Sequence, residues 1–265
     1  MKIHQLRNAT MLVEVGPYSL LVDPMLSKRG KLPPFSVLRQ RPRANPIVDL
    51  PEGADLLLQQ TTHSLITHAN TFGIPLLQHV DHLDNPGERF LQERNIPVIT
   101  SVVDGAYLKK KGLNVCQSLE YWQTSEFIGG RITAVPAQHG HGWIHKVMAN
   151  GAGFFIEIPS EPSLFISGDT VLTPHVKRAL TDLKPDVAVV AAGRAQMDVG
   201  KPLLMSLDEV VEFATLAPGV VVANHLEALN HCPIKRSDVL AAFRIKGLVD
   251  RLWIPNDGES KTFNR

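Results

Sequence analysis

Cysteine is scarce in this chain: 265 residues contain only Cys116 and Cys232. A secreted domain stapled by disulfides would carry more, so free thiols in a reducing cytoplasm are expected. Long apolar runs are missing as well. No segment offers the roughly 18 consecutive apolar residues needed to span a bilayer. Residues 1–8, MKIHQLRN, show no signal-peptide pattern. Neither membrane insertion nor secretion is therefore expected. An excess of charge is also lacking, with 27 Lys plus Arg against 26 Asp plus Glu. The one basic run, Lys109-Lys110-Lys111 before Gly112, reads as the last turn of a helix with its glycine cap. A nucleic-acid partner would need a concentrated basic face, so none is expected. Nothing in the sequence argues against a homo-oligomer.

What is present is an ordinary globular composition, 44% hydrophobic and 20% charged. Alternating apolar residues predict strands over 10–15 and 18–22, joined by a turn at Gly16-Pro17. Residues 27–51, rich in proline and arginine, read as a long surface loop. The apolar stretch 54–67 reads as a buried strand ending in Thr67-His68. Helices are predicted over 86–94, 103–111, 174–183, 206–214 and 237–246. Strands are predicted over 97–100, 131–137, 153–158, 163–167, 187–191, 220–223 and 252–254. Ser206-Leu207-Asp208-Glu209 is a capping-box signature for the helix that it opens. With no repeat and no linker, the pattern predicts one domain over 1–265. An early antiparallel half and a later α/β half would build it as two packed sheets with helices outside.

Histidine is the oddity of the composition, with 11 residues, many beside Asp or Gly. His79-Val80-Asp81-His82 packs two imidazoles and a carboxylate into four residues. A tight loop can aim all three at adjacent points, as a two-metal site requires. His139 follows the strand at 131–137, and Asp169 follows the apolar run Leu164-Phe165-Ile166. His225 follows Val220-Val221-Val222-Ala223, and Asp23 follows Leu20-Leu21-Val22. Each is a polar residue at the C-terminal end of a strand, where a rigid scaffold presents its chemistry. Cys232 adjoins His231 but, as an adjacent residue, lacks nucleophile-to-base geometry and reads as structural. Arg194 follows a strand and could meet an anionic substrate, Trp143 could wall the pocket, and His231 could line it.

This order of residues resembles the metallo-β-lactamase superfamily over nearly the whole chain. Within it, Val135-Pro136-Ala137-Gln138-His139-Gly140, Ser167-Gly168-Asp169-Thr170 and residues 225–232 (HLEALNHC) look most like the L-ascorbate-6-phosphate lactonase-like branch. The resemblance implies an α+β fold, a four-layer αββα sandwich, holding two divalent ions of Zn, Mn or Fe. It places His79 and His139 on the first metal, Asp81, His82 and His225 on the second, and Asp169 between them. Asp23 would orient the site from behind. One departure from the family pattern Thr-His-x-His-x-Asp-His is plain: Leu77 stands two before His79, and the Thr-His pair lies earlier, at Thr67-His68. Either His68 reaches the first metal across the insertion 69–78, or that metal has lost a ligand. His63, His141 and His145 are the substitutes available. The implied activity is metal-dependent hydrolysis of a lactone or ester of a small polar molecule, with Asp81 shuttling a proton. A phosphodiesterase or phospholipase-D-like reaction is the alternative, and a degenerate binding protein the non-catalytic one.

Overall fold

A computed structural model describes residues 1–36, 38, 44–69 and 79–265. The chain opens with three antiparallel strands, β1 (Lys2–Arg7), β2 (Thr10–Val15) and β3 (Tyr18–Val22). Asn8 and Gly16, both at φ 55, supply the left-handed residues that the two turns between them use. After α1 (Ala54–Gln59), pairing turns parallel through β4 (His63–Leu65), β5 (Val98–Ser101) and β6 (Val115–Leu119). The crossovers include α2 (Asn85–Glu93) and α3 (Val102–Lys110).

The second sheet repeats this plan. β7 (Thr124–Phe127), β8 (Gly130–Pro136), β9 (Ala152–Glu157) and β10 (Leu164–Ile166) pair antiparallel. From β10 onward β11 (Val187–Ala191), β12 (Val220–Asn224) and β13 (Leu252–Trp253) pair parallel. α4 (Pro174–Arg178), α5 (Leu207–Leu216) and α6 (Arg236–Ile245) lie along this half, and β14 (Ser260–Thr262) returns to pair with β1. Among the described residues each sheet has seven strands.

Strand alternation sorts the apolar residues into layers. Ile3, Val13 and Leu20 of the first sheet meet Ile132, Phe154 and Val222 of the second in one buried cluster. Facing outward, Phe165, Ala188 and Val221 pack under Phe213 and Phe243 of the helices. On the first sheet Val98 packs with Leu91 and Leu108. The architecture is the expected α+β sandwich. Burying each large apolar side chain contributes about 1.5–3 kcal/mol before entropy is subtracted.

Three expectations need correction. Residues 54–67 are not one strand: Gly53 at φ 81 precedes a short helix, and only His63–Leu65 is extended. The Leu56-Leu57-Leu58 run misleads, because on a helix Leu58 is buried, Leu57 only partly so, and Leu56 is 67% exposed. The early half is not purely antiparallel, since β3 to β6 run parallel. The helix expected over 174–183 is α-helical only to Arg178 and continues as a π-helical turn, Ala179–Leu183. The capping box holds: Ser206 N–H donates to Glu209 Oε2 at 2.8 Å, and Glu209 N–H to Ser206 Oγ at 3.3 Å.

At one end of the sandwich the two sheets are joined by backbone hydrogen bonds. Ala152 N–H donates to Thr67 O at 2.9 Å and His225 N–H to Asn8 O at 3.1 Å. The base of the long loop is tied down there too. Arg7, fully buried, donates to Met25 O at 2.7 Å and Val48 O at 3.1 Å. Residues 37 and 39–43 of that loop, and 70–78 of the insertion with Leu77, lie outside the described residues. Among the described residues no helix is long and apolar enough to cross a membrane.

Candidate metal centre

The joined end of the sandwich is where the strand-end polar residues converge. Asp23 follows β3 at φ 45, and His225 follows β12 at φ 58. For non-glycine residues this conformation is costly and is held only by surrounding structure. His68 follows β4, His139 follows β8 and Asp169 follows β10. His79, Asp81 and His82 lie in a tight turn, where His82 N–H and Leu83 N–H both donate to His79 O. Asp84 fixes that turn by capping α2, accepting from Gly87 N–H at 2.9 Å and from Ser27 N–H at 2.6 Å. Glycines let the backbones close in. A Cβ on Gly151 would sit 2.3 Å from Thr67 O and 3.1 Å from the His68 ring.

The donors fall into two groups, each within 4.8 Å: His68, His79 and His139, and Asp81, His82, Asp169 and His225. Asp169 touches both. Its Oδ2 is 3.5 Å from His139 Nε2 and 3.0 Å from His82 Nε2, and its Oδ1 is 3.6 Å from His225 Nε2. Asp81 Oδ2 stands 3.5 Å from His225 Nε2 and 3.9 Å from His82 Nε2. All seven side chains are buried, yet both ring nitrogens of His68 and His139 lack a hydrogen-bond partner. So do Nε2 of His79, His82 and His225, and Oδ1 of Asp169. Leaving so many buried polar atoms unpaired is costly unless something else satisfies them. Imidazole nitrogens and carboxylate oxygens aimed at shared points suit borderline divalent ions such as Zn, Mn or Fe. The donor set therefore fits metal.

Electrostatics divide the groups. Burial, then the neighbouring His139, pushes the His79 pKa down to about 3, and burial pushes His139 to about 4 and His68 well below its usual value. For His82 burial is outweighed by Asp169, Asp23 and Asp81, which raise its pKa well above the ordinary value. His225 is raised likewise, against burial, by Asp169, Cys232 and Asp81. Asp81 and Asp169 move the other way: burial opposes ionisation, but His82 and its neighbours hold both carboxyls well below the usual range.

Asp23 stands behind His82, its Oδ2 2.9 Å from Nδ1. It is held by Thr67, whose N–H and Oγ1 donate to its two oxygens at 2.8 and 2.6 Å. His68 sits in the first group, its ring stacked on His79 at 3.6 Å between centroids. The substitutes do not. His63 begins β4 and packs against Tyr18 and Phe127, while His141 pairs with Glu209 at 3.1 Å. His145 lies in the 3-10 turn Ile144–Lys146. His231 is buried, with Phe35 packed edge-on at 4.9 Å. Arg194 is half-buried and bonds Gln196 at 3.4 Å, and Trp143 is 58% exposed. Sequence reasoning missed Asn8, which donates to Asp81 O at 3.2 Å while its own carbonyl receives His225 N–H. It also missed Asn230, which ties the long loop to residues 224–232: its N–H donates to Asn45 Oδ1 at 2.8 Å and its Nδ2 to Ser36 O at 2.6 Å. Neither had a local signal beyond being an Asn in a turn. A cavity of about 650 Å³ opens at the far end of β4, between His63, Cys116, Glu126 and Arg131, away from these donors.

A sandwich of two mixed sheets with histidines and aspartates gathered at one end defines a metallo-β-lactamase fold. The beta-lactamase superfamily domain matches residues 18–226, and the chain belongs to that superfamily. It is 29% identical to the UPF0173 protein YddR of Bacillus subtilis (strain 168), over 99% of this chain and all of YddR. It is 23% identical to a UPF0173 metal-dependent hydrolase of Flavobacterium johnsoniae, over 91% of this chain and 96% of the relative. The crystal structure of an isothiocyanate hydrolase from Delia radicum gut bacteria superposes with a TM-score of 0.86 at 25% identity, covering 100% of both chains.

Proposed function

We propose that this protein is a metal-dependent hydrolase of the cytoplasm that adds water to an electrophilic carbon of a small molecule, a lactone or ester first. His68, His79 and His139 would hold one divalent ion, and Asp81, His82 and His225 a second, with Asp169 between them. The observation that carries the reading is the cluster of seven buried donor residues facing one another, six of which hold unpartnered polar atoms. When bound, such ions make water nucleophilic near neutral pH and polarise the electrophile.

The chain's own groups supply the rest. Asp23 keeps the Nδ1 proton of His82 directed at a carboxylate, which fixes Nε2 toward Asp169. Asp81, its Oδ2 3.5 Å from His225 Nε2, is the carboxylate placed to take a proton and pass it to the leaving group. Burial of the whole set excludes bulk water from these transfers.

The full-length likeness to the isothiocyanate hydrolase favours a second reading, in which the carbon attacked is that of an isothiocyanate. A panel of lactones, an aryl ester, benzyl isothiocyanate and bis-p-nitrophenyl phosphate separates the readings. Elemental analysis of purified protein should give about two equivalents of Zn, Mn or Fe, falling in the His79→Ala, His82→Ala double variant. Turnover of the phosphate diester alone would shift the reading to a phosphodiesterase. No metal after reconstitution and no turnover would make the chain a binding protein on a hydrolase fold.

A further inference from the structure

Cys232 is a buried sulfur for which the scheme above has no use. It is 8% exposed, and its Sγ lies 3.4 Å from His225 Nδ1 and 3.9 Å from His231 Nδ1. The opposite nitrogen of the His225 ring, Nε2, faces Asp81 and Asp169 and has no hydrogen-bond partner. A neutral imidazole has one N–H and one lone pair, and the partner of one nitrogen decides where the lone pair sits. For Nε2 to offer a lone pair to a cation shared with those carboxylates, Nδ1 must carry the hydrogen and donate it. The sulfur is in place to accept.

The backbone confines the pair. His225 is held at φ 58. Cys232 N–H donates to Leu229 O at 3.2 Å, closing the loop. Gly193, at the end of β11, backs both residues: a Cβ there would lie 2.1 Å from His225 O, 3.0 Å from Cys232 Cβ and 3.2 Å from Sγ. The sulfur thus has little room to turn elsewhere. Its contact on the ring nitrogen away from Asp81 and Asp169 puts it behind the donor cluster, not in front of it as a nucleophile would need.

We propose that Cys232 is a positioning residue of the metal centre, whose sulfur accepts the His225 Nδ1–H and turns Nε2 toward Asp81 and Asp169. It does for His225 what Asp23 does for His82. The inference rests on the reading of His225 as a metal ligand. A merely packing role would demand volume. A positioning role demands an acceptor.

Cys232→Ser keeps an acceptor and loses volume, whereas Cys232→Val keeps volume and loses the acceptor. Zn²⁺ titration of the metal-free full chain against a chromophoric chelator should show one of the two ions bound roughly 10–100-fold more weakly in Cys232→Val. Cys232→Ser should hold that ion close to wild type. The reverse order, Val retaining and Ser losing it, would overturn the proposal. His225→Ala is the reference. If it binds both ions as wild type does, the ligand reading fails and this inference with it. If His225→Ala loses an ion while Cys232→Val does not, the cysteine alone has been misassigned. Long-range ¹⁵N–¹H correlation spectra of the zinc-loaded wild type need no variant: His225 should carry its hydrogen on Nδ1. A hydrogen on Nε2 rejects the idea.

Discussion

The two donor groups lie side by side but are built on opposite principles. His68, His79 and His139 have no carboxylate of their own, and burial drives all three to the neutral form. Two of them have no hydrogen-bond partner on either nitrogen. Asp81, His82, Asp169 and His225 neutralise one another, and their rings are steered from behind by Asp23 and Cys232. The first group is a set of lone pairs that needs a cation to make sense of its burial. The second group is satisfied, in part, without one. A buried polar cluster can therefore be stabilised by its ligand or by itself, and this centre has one of each.

Removing the residue common to both halves should have the largest effect. Asp169→Ala deletes the carboxylate that reaches His82, His139 and His225. The metal content should fall below one ion per chain, with any hydrolysis down by at least about 100-fold. Metal content and turnover both unchanged would break the idea that the halves share a bridge. Next comes Asp23→Asn, which strikes the second group directly through His82 and reaches the first only through Thr67 beside His68. It should weaken one ion by about 10–100-fold and leave the other near wild type, as read by competition with a chelator. Equal loss of both would erase the distinction between the groups.

The smallest effect is a pH dependence of the metal-free protein. The first group's histidines have folded pKa values below the ordinary 6.5, with His79 near 3 and His139 near 4. In that window the unfolded chain binds more protons, so stability falls as pH drops from 6.5 toward 4. His82 and His225, raised in the fold, are protonated in both states below 6.5 and add no slope there. The melting temperature of the metal-free chain should thus decline between pH 6.5 and 4.5. The His68→Gln, His79→Gln variant should flatten the curve. A variant with an unchanged slope would place the acid sensitivity elsewhere.

Much of this was readable from the sequence, because strand-end Asp and His residues carry a local signature. An apolar run stops and one polar residue follows, as at Asp23, Asp169 and His225. The second half of the chain was legible for the same reason, since β11 and β12 are uninterrupted apolar runs. β6, β7 and β14 were not. As edge or near-edge strands they are polar (VCQSL, TSEF, SKT) and hydropathy does not mark them. The helix at Ala54–Gln59 was missed because six residues are too few to show a period. His68 is the favoured ligand for the first group because it ends an apolar stretch, and the structure brings it beside His79 and His139 although the insertion separates it from His79 in sequence. The partners Asn8, Thr67 and Asn230 depend on tertiary approach alone.

The switch in pairing direction within each sheet has its own consequence. β3 is antiparallel to β2 and parallel to β4, and β10 is antiparallel to β9 and parallel to β11. Asp23 follows the first of these hinge strands by one residue, and Asp169 stands just past the second. His82 spans the space between them, one nitrogen 2.9 Å from Asp23 and the other 3.0 Å from Asp169. While both nitrogens are protonated, that ring is a cross-brace, a cation strung between an anion from each sheet. A metal held at Nε2 would take one proton away and trade the brace for a coordination bond. The two halves of the sandwich would then exchange one form of attachment for another without ever being let go.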